Sequence, residues 1–220
     1  MINNYQTWVS LNAYMRIGRK WGIMNDLHLR TNHFFATNNF SLVRIGAVYW
    51  LSDKISVAAG YTRIWIAPAS GNLHQYSDGD WIYQQVQYVS KKKKNSIGIY
   101  VRLLNEQRWQ QRIINDKKGG IIFSDRVRLL GNFTSPVSKK FYVPAPVLAD
   151  ELHIQFGKDI VYNTFYQNRI FIGIKQNITH SLYFDFGYMQ VYQQKANGYQ
   201  YNHNNTLRLF FYYKPYFRKK

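Results

Sequence analysis

The run Leu207-Arg208-Leu209-Phe210-Phe211-Tyr212-Tyr213-Lys214-Pro215-Tyr216-Phe217 decides the fold of this chain. In an extended strand alternate side chains point to opposite faces. Leu207, Leu209, Phe211 and Tyr213 share one face, and Arg208, Tyr212 and Lys214 share the other, with Phe210 as the exception. One face suits hydrocarbon and the other suits water. An alternating segment that ends in aromatic residues is how the closing strand of a transmembrane β-barrel reads, and hydropathy averaging misses it.

The rest of the chain repeats this pattern. Period-two segments are read at about 5–16, 21–35, 40–50, 55–66, 81–90, 96–112, 121–133, 141–156, 164–176, 182–193 and 203–217, with turn signals between them. No segment carries a helical stripe and no linker divides the chain, so residues 1–220 are read as one barrel domain. The turns at 18–20, 51–54, 91–95, 134–140 and 177–181 are short. The connections at 67–80, 113–120, 157–163 and 194–202 are mostly longer and rich in Gly, Asn or Asp, and 36–39 belongs with them by position but is short. Short turns at one end and long loops at the other are expected of outer-membrane barrels, with the short set periplasmic. Eleven segments conflict with the even strand number usual for bacterial single-chain barrels. Either one segment is miscounted, a strand hides in 67–80, or the first residues climb through the lumen. The expectation is an all-β, antiparallel, up-and-down transmembrane barrel of ten to twelve strands, twelve favoured. Pro144 and Pro146 make 141–156 the least regular segment, because proline cannot donate to a ladder.

Composition agrees. Of 220 residues 18% are aromatic, with 19 Tyr, 14 Phe and 6 Trp, which suits a barrel girdled by rings at two interfaces. Mean hydropathy is −0.41, and no run of about 18 apolar residues offers a transmembrane helix. No cysteine is present, so disulfides and thiolate metal sites are excluded. No signal peptide is visible at the start; an outer-membrane location requires one, so it is inferred to have been removed. Trp21, Trp50, Trp65, Trp81, Trp109 and Tyr216 lie near segment ends and are assigned to the interfacial girdles.

The net charge of +18 comes from 29 Lys and Arg against 11 Asp and Glu. Nucleic acid, anionic lipid and an anion-lined pore each fit that excess. Its distribution separates them. Basic residues cluster at turns (Arg19-Lys20, Lys91 to Lys94, Lys139-Lys140, Arg218 to Lys220) and occur singly on the polar faces of strands. That describes a rim and a lumen, so the expected partners are outer-membrane lipid and lipopolysaccharide, with other envelope proteins as candidates and no nucleic acid. Alternation places Arg44, Arg102, Glu106, Arg108, Arg126, Arg128, Glu151, Arg169, Asp185 and Arg208 inside, and Arg30 by the same parity. An arginine on the lipid face near the midplane costs about 2–4 kcal/mol, which is why the charged face must be the lumen. A hydrogen-bonded plug, an anion path and a catalytic site are the three readings of that wall.

Several stretches occur in an order that resembles a known family: Gln6-Thr7-Trp8, Leu27-His28-Leu29-Arg30, Ala59-Gly60-Tyr61, Arg102 through Arg108, Arg126-Val127-Arg128, Asp150-Glu151-Leu152, Asn168 through Gly173 and Phe186-Gly187-Tyr188-Met189. Together they are similar to the outer-membrane barrel family catalogued as domain of unknown function 2490, common in Bacteroidota. The resemblance implies an outer-membrane barrel without assigned activity and carries over no catalytic residue. Arg102, Glu106, Arg108, Arg126, Arg128, Glu151 and Arg169 resemble its recurrent polar positions.

Enzyme signatures are sparse. Only His180-Ser181 pairs a histidine with an adjacent serine, and it falls in a short turn; His153 near Glu151 has no nucleophile beside it. No His-Glu-x-x-His, calcium loop or phosphate loop occurs, so no catalytic residue, metal or cofactor is assigned. The functional expectation is a non-enzymatic envelope component, either a structural or accessory subunit or a small pore with an Arg-rich lumen. A lipid-modifying barrel enzyme is the alternative, and a soluble basic RNA-binding β protein is a third.

Overall fold

A computed structural model describes residues 3–68, 74–90, 97–138, 140–160, 162–195 and 197–215. Eleven strands follow one another: β1 (Asn3–Arg16), β2 (Trp21–Asn32), β3 (Thr37–Trp50), β4 (Ile55–Ile66), β5 (Ser77–Val89), β6 (Gly98–Ile114), β7 (Lys117–Thr134), β8 (Ala145–Phe156), β9 (Phe165–Asn177), β10 (Leu182–Gln194) and β11 (Tyr201–Tyr213). Each pairs antiparallel with its sequence neighbours, and the sheet closes on itself.

The closure corrects two expectations. β1 and β11 pair in parallel, from Asn3 opposite His203 to Ala13 opposite Tyr213, so the barrel is mixed rather than wholly antiparallel. An odd number of strands leaves the first and last running in the same direction, and a parallel ladder joins such edges without a further strand. The favoured twelfth strand is absent from the described part of 67–80; that stretch instead supplies the start of β5 at Ser77. The irregularity expected of 141–156 shows in the approach to β8 and in a register shift between His153 and Ile154, not at Pro146. Pro146 stands on the outer face opposite Ile174, and its carbonyl accepts a hydrogen bond from the Ser135 N–H.

The alternation sorts side chains as the pattern requires. β5 shows it most cleanly: Trp81, Tyr83, Gln85 and Gln87 are buried inside, while Ile82, Gln84, Val86 and Tyr88 are exposed outside. Phe210, the exception in the last strand, follows parity too. It faces inward and packs on a lumen cluster of Trp8, Val147, Ala149, Phe171, Met189 and Val191. Glycines make room for the larger rings. Gly46 and Gly60 face each other across β3 and β4, and a Cβ on Gly46 would lie 2.1 Å from the Tyr83 hydroxyl and 2.6 Å from the Ala59 carbonyl oxygen. The fully buried Tyr83 ring occupies the space these glycines leave.

Loop length does not separate the two ends as expected. The connections 17–20, 51–54, 90–97, 135–144 and 178–181, at the end expected to carry short turns, are together as long as 33–36, 67–76, 115–116, 157–164 and 195–200 at the other. Short-turn end and long-loop end are therefore only labels for these two sets. At the long-loop end, β6 and β7 join through a two-residue turn in place of the loop expected over 113–120, and its residues Asn115 and Asp116 both have positive φ (51° and 56°), the left-handed geometry such hairpins need. The Asp116 carboxylate accepts the backbone N–H groups of His74 and Gln75 at 2.8 Å each, tying the loop before β5 to this tip. The Gln75 and then the His74 N–H hold its carboxyl below the usual carboxylate range. This tie is complete above the ordinary Asp pKa of about 3.9 and is lost as pH falls through the lowered value. Asp116→Ala is expected to speed amide hydrogen exchange at His74 and Gln75 at neutral pH while the strands stay protected; unchanged exchange would show that the tie holds nothing.

Candidate functional site

The lumen is crossed at mid-height by a continuous network of charge. Glu106 projects inward from β6 with no solvent exposure. Its Oε1 accepts Arg44 Nη2 at 2.6 Å and Arg128 Nη1 at 3.1 Å, and its Oε2 accepts Arg126 through Nε at 2.7 Å and through Nη2. Glu151, projecting from β8, gathers a second group of arginines beside the first. Its Oε1 accepts Arg102 Nη2 at 2.8 Å and Arg128 Nη2 at 2.7 Å, and its Oε2 accepts Arg169 Nη1 at 2.9 Å. Arg128 therefore joins the two carboxylates into one cluster.

Five guanidiniums meet two carboxylates, a surplus of three positive charges. Buried charge on this scale persists only where it is paired and hydrogen-bonded. Neutral acceptors, aromatic rings and a third acid, Asp26, take the rest. Arg44 Nε donates to Thr62 Oγ1 at 2.9 Å, Arg169 donates twice to Gln167 Oε1, and Asp26 lies 3.9 Å from Arg44. Arg44 lies over Tyr83, Arg126 over Trp81 and Tyr166, and Arg169 over Trp8, with guanidinium carbons 4.7–5.4 Å from the ring centres. An aromatic face offers partial negative charge where no acid is at hand.

The remaining predicted positions lie around this cluster rather than in it. Arg108 makes no ion pair among the described residues; it stacks on Trp81 and Tyr166, and its Nε and Nη1 are buried without a hydrogen-bond partner. Arg208 and Asp185 form a separate pair at 3.6 Å, nearer the short turns. Arg30 sits inside between Trp8 and Phe40, 3.7 and 4.4 Å from their ring centres. The basic clusters Lys91 to Lys94 and Arg218 to Lys220 lie outside the described residues.

The aromatic girdle needs correction at two positions. Trp81 is 3% exposed and faces the lumen beneath Arg108 and Arg126. Trp50 also turns inward, packed beside Met24 and Val48 with Arg16 over its ring. Trp21 and Trp109 stand outside, where each meets an aromatic neighbour, Tyr49 and Phe123. Trp65 shares their outward parity. Tyr216 lies outside the described residues. Parity could have found the two errors: Trp81 shares a face with Tyr83 and Gln85, and Trp50 with Val48.

The chain matches the family described as protein of unknown function DUF2490 over residues 5–203. It belongs to that family. No curated protein and no solved structure matches it. The matched span runs from β1 into β11 and so contains every residue of the charge network.

Two histidines of this DUF2490 chain are candidates for chemistry. His153 is fully buried; its Nε2 lies 3.1 Å from Glu151 Oε2, yet off the line of a hydrogen bond, and neither ring nitrogen has a hydrogen-bond partner. His180, the histidine next to a serine, stacks on Phe141 at the short-turn end, 4.9 Å between ring centres. Neither is aligned with a hydroxyl nucleophile among the described residues.

Proposed function

We propose that this DUF2490 protein is an outer-membrane barrel whose lumen is shut at mid-height, acting as a non-enzymatic structural or accessory component of the envelope rather than as an open pore. The observation that carries the reading is the inverted distribution of polarity. The outer wall exposes Leu27, Ile45, Leu103, Leu129, Ile172 and Phe186, each more than 40% accessible, while paired arginines and carboxylates fill the interior. Monomeric water-soluble proteins rarely expose an apolar surface that runs around the whole molecule. Aromatic pairs at opposite ends of the wall, Trp21 with Tyr49 and Trp109 with Phe123, stand where interfacial girdles belong. The network supports the closed reading, because two carboxylates clamp five arginines from β3, β6, β7 and β9 across the bore.

Two measurements on refolded protein test this. In liposome flotation it should rise with the vesicles, with a heat-modifiable gel shift, and in a planar bilayer it should show no steady conductance. Solubility without detergent would defeat the membrane reading, and stable conductance steps would defeat the closed lumen.

A further inference from the structure

Below the charge network the lumen is hollow. A cavity of about 500 Å³ runs from the Arg44–Arg128–Glu151 level down to the short-turn rim at Ser90, Ser138, Asn177 and Lys214. That volume lies within the range of small-molecule sites, about 300–1,000 Å³. We propose that this blind vestibule binds an organic anion: one phosphate or carboxylate group on a small aromatic or aliphatic body, entering from the short-turn end.

Charge is the first argument. The lining includes nine Lys and Arg side chains and three carboxylates, Asp26, Glu151 and Asp185. Glu151 is engaged by Arg102, Arg128 and Arg169, while Asp185 and Asp26 are held more loosely by Arg208 at 3.6 Å and Arg44 at 3.9 Å, each with one buried oxygen unpartnered; three acids still face nine cations. A concave wall with surplus positive charge and low-dielectric sides concentrates anions.

Arg30 is the second argument. It lines the inner end of the cavity, and no ion pair reaches it among the described residues. Trp8 and Phe40 hold its guanidinium between them, and its buried Nε has no hydrogen-bond partner. The β2–β3 register shifts between Arg30 and Thr31, and a bulge at such a point re-aims the side chain beside it. His28, on the same face, also lines the cavity and has a buried Nδ1 without a partner. Buried polar atoms left open in this way normally find a partner, and for the Arg30 Nε–H that partner is an acceptor. A phosphate or carboxylate supplies several, and planar guanidinium forks bind both groups well.

The walls indicate the body of the ligand. Phe171, Phe210, Met189 and Ala149 line the same space, and the Arg208 guanidinium lies 4.1 and 4.2 Å from the Phe171 and Phe210 ring centres. Bare phosphate would leave this apolar surface uncovered, whereas an aryl or short acyl group would cover it.

Isothermal titration calorimetry of the refolded protein in detergent tests the site with three probes: inorganic phosphate, phenyl phosphate and dihexanoyl phosphatidic acid. Saturable binding of phenyl phosphate, tighter than inorganic phosphate, is expected and would identify a soluble ligand; binding of the phosphatidic acid alone would identify a lipid headgroup as the source. Arg30→Gln should weaken the binding about tenfold or more, while Lys118→Gln, at the opposite end beside Asp78, should leave it unchanged. Heat-modifiable migration of each variant confirms folding. Absence of saturable binding by all three probes, or equal binding by Arg30→Gln and wild type, would overturn the site. The inference rests on a closed lumen, and the two fail separately: conductance in wild type removes the closed lumen, whereas a silent bilayer without binding removes the vestibule site.

Discussion

Replacing Glu106 by Gln is expected to destabilise the barrel by about 3–5 kcal/mol, the range for breaking a buried ion pair from one side. The amide keeps the size of the side chain and removes its charge. Arg126 then loses its carboxylate partner, Arg44 keeps Asp26 at 3.9 Å, and Arg128 keeps Glu151. Desolvated guanidiniums left beside one another repel as well as lack a partner, so the loss exceeds that of a neutral hydrogen bond, about 0.5–1.5 kcal/mol. Equilibrium unfolding in urea from lipid vesicles reads the effect. Arg126→Met in the Glu106→Gln background should recover some of the loss, because it removes a cation the amide cannot neutralise. Asp53, whose carboxylate is 79% exposed and 3.8 Å from Arg16, serves as the surface comparison, and Asp53→Asn should leave unfolding unchanged. A Glu106→Gln protein as stable as wild type would mean that the network fills the lumen without holding it together.

The second large effect is on conductance. Arg128 is the link between Glu106 and Glu151 and also contributes to the vestibule ceiling. Truncating Arg128 and Glu106 together to Ala removes one cation and one anion, so the charge surplus is unchanged while two long side chains leave the bore. Reconstituted double variant is expected to show resolved single-channel steps where wild type shows none. Those steps should favour anions over cations, because Arg30, Arg44, Arg126 and Arg169 remain along the path. A double variant that migrates as folded yet stays silent would place the barrier in the aromatic packing of Trp81, Tyr83 and Tyr166 instead of in the ion pairs.

These two experiments depend on different links between sequence and structure. That Glu106, Arg126, Arg128, Glu151 and Arg169 point inward was legible from alternation alone, since residues of equal parity in a strand share a face. The partnerships were not legible. Arg44 and Glu106 are 62 positions apart, on β3 and β6, and meet across the bore at 2.6 Å. Only the curvature and stagger of the closed sheet decide which inward side chains arrive at the same height. Trp81 illustrates the complementary error. It reads as the start of a strand and hence as a girdle residue, but β5 begins four residues earlier at Ser77, which takes Trp81 away from the strand end, and its shared parity with Tyr83 and Gln85 turns it into the lumen beneath two arginines.

By itself the sequence determined an all-β chain with eleven alternating segments, an apolar outer face, a charged inner face and DUF2490 character over most of its length. All but the last follow from local chemistry, a two-residue period with turn residues at the segment ends. Tertiary structure alone decided how the ring closes, which charges pair and where the lumen is empty. An odd count of strands leaves β1 and β11 running the same way, but their seam is a backbone hydrogen-bond ladder, and no side-chain pattern in the sequence announces that these two edges pair directly instead of through a further strand. The vestibule is likewise a property of the closed wall: the same inward arginines would be solvated on an open sheet, and it is closure that confines them around about 500 Å³ with too few acids.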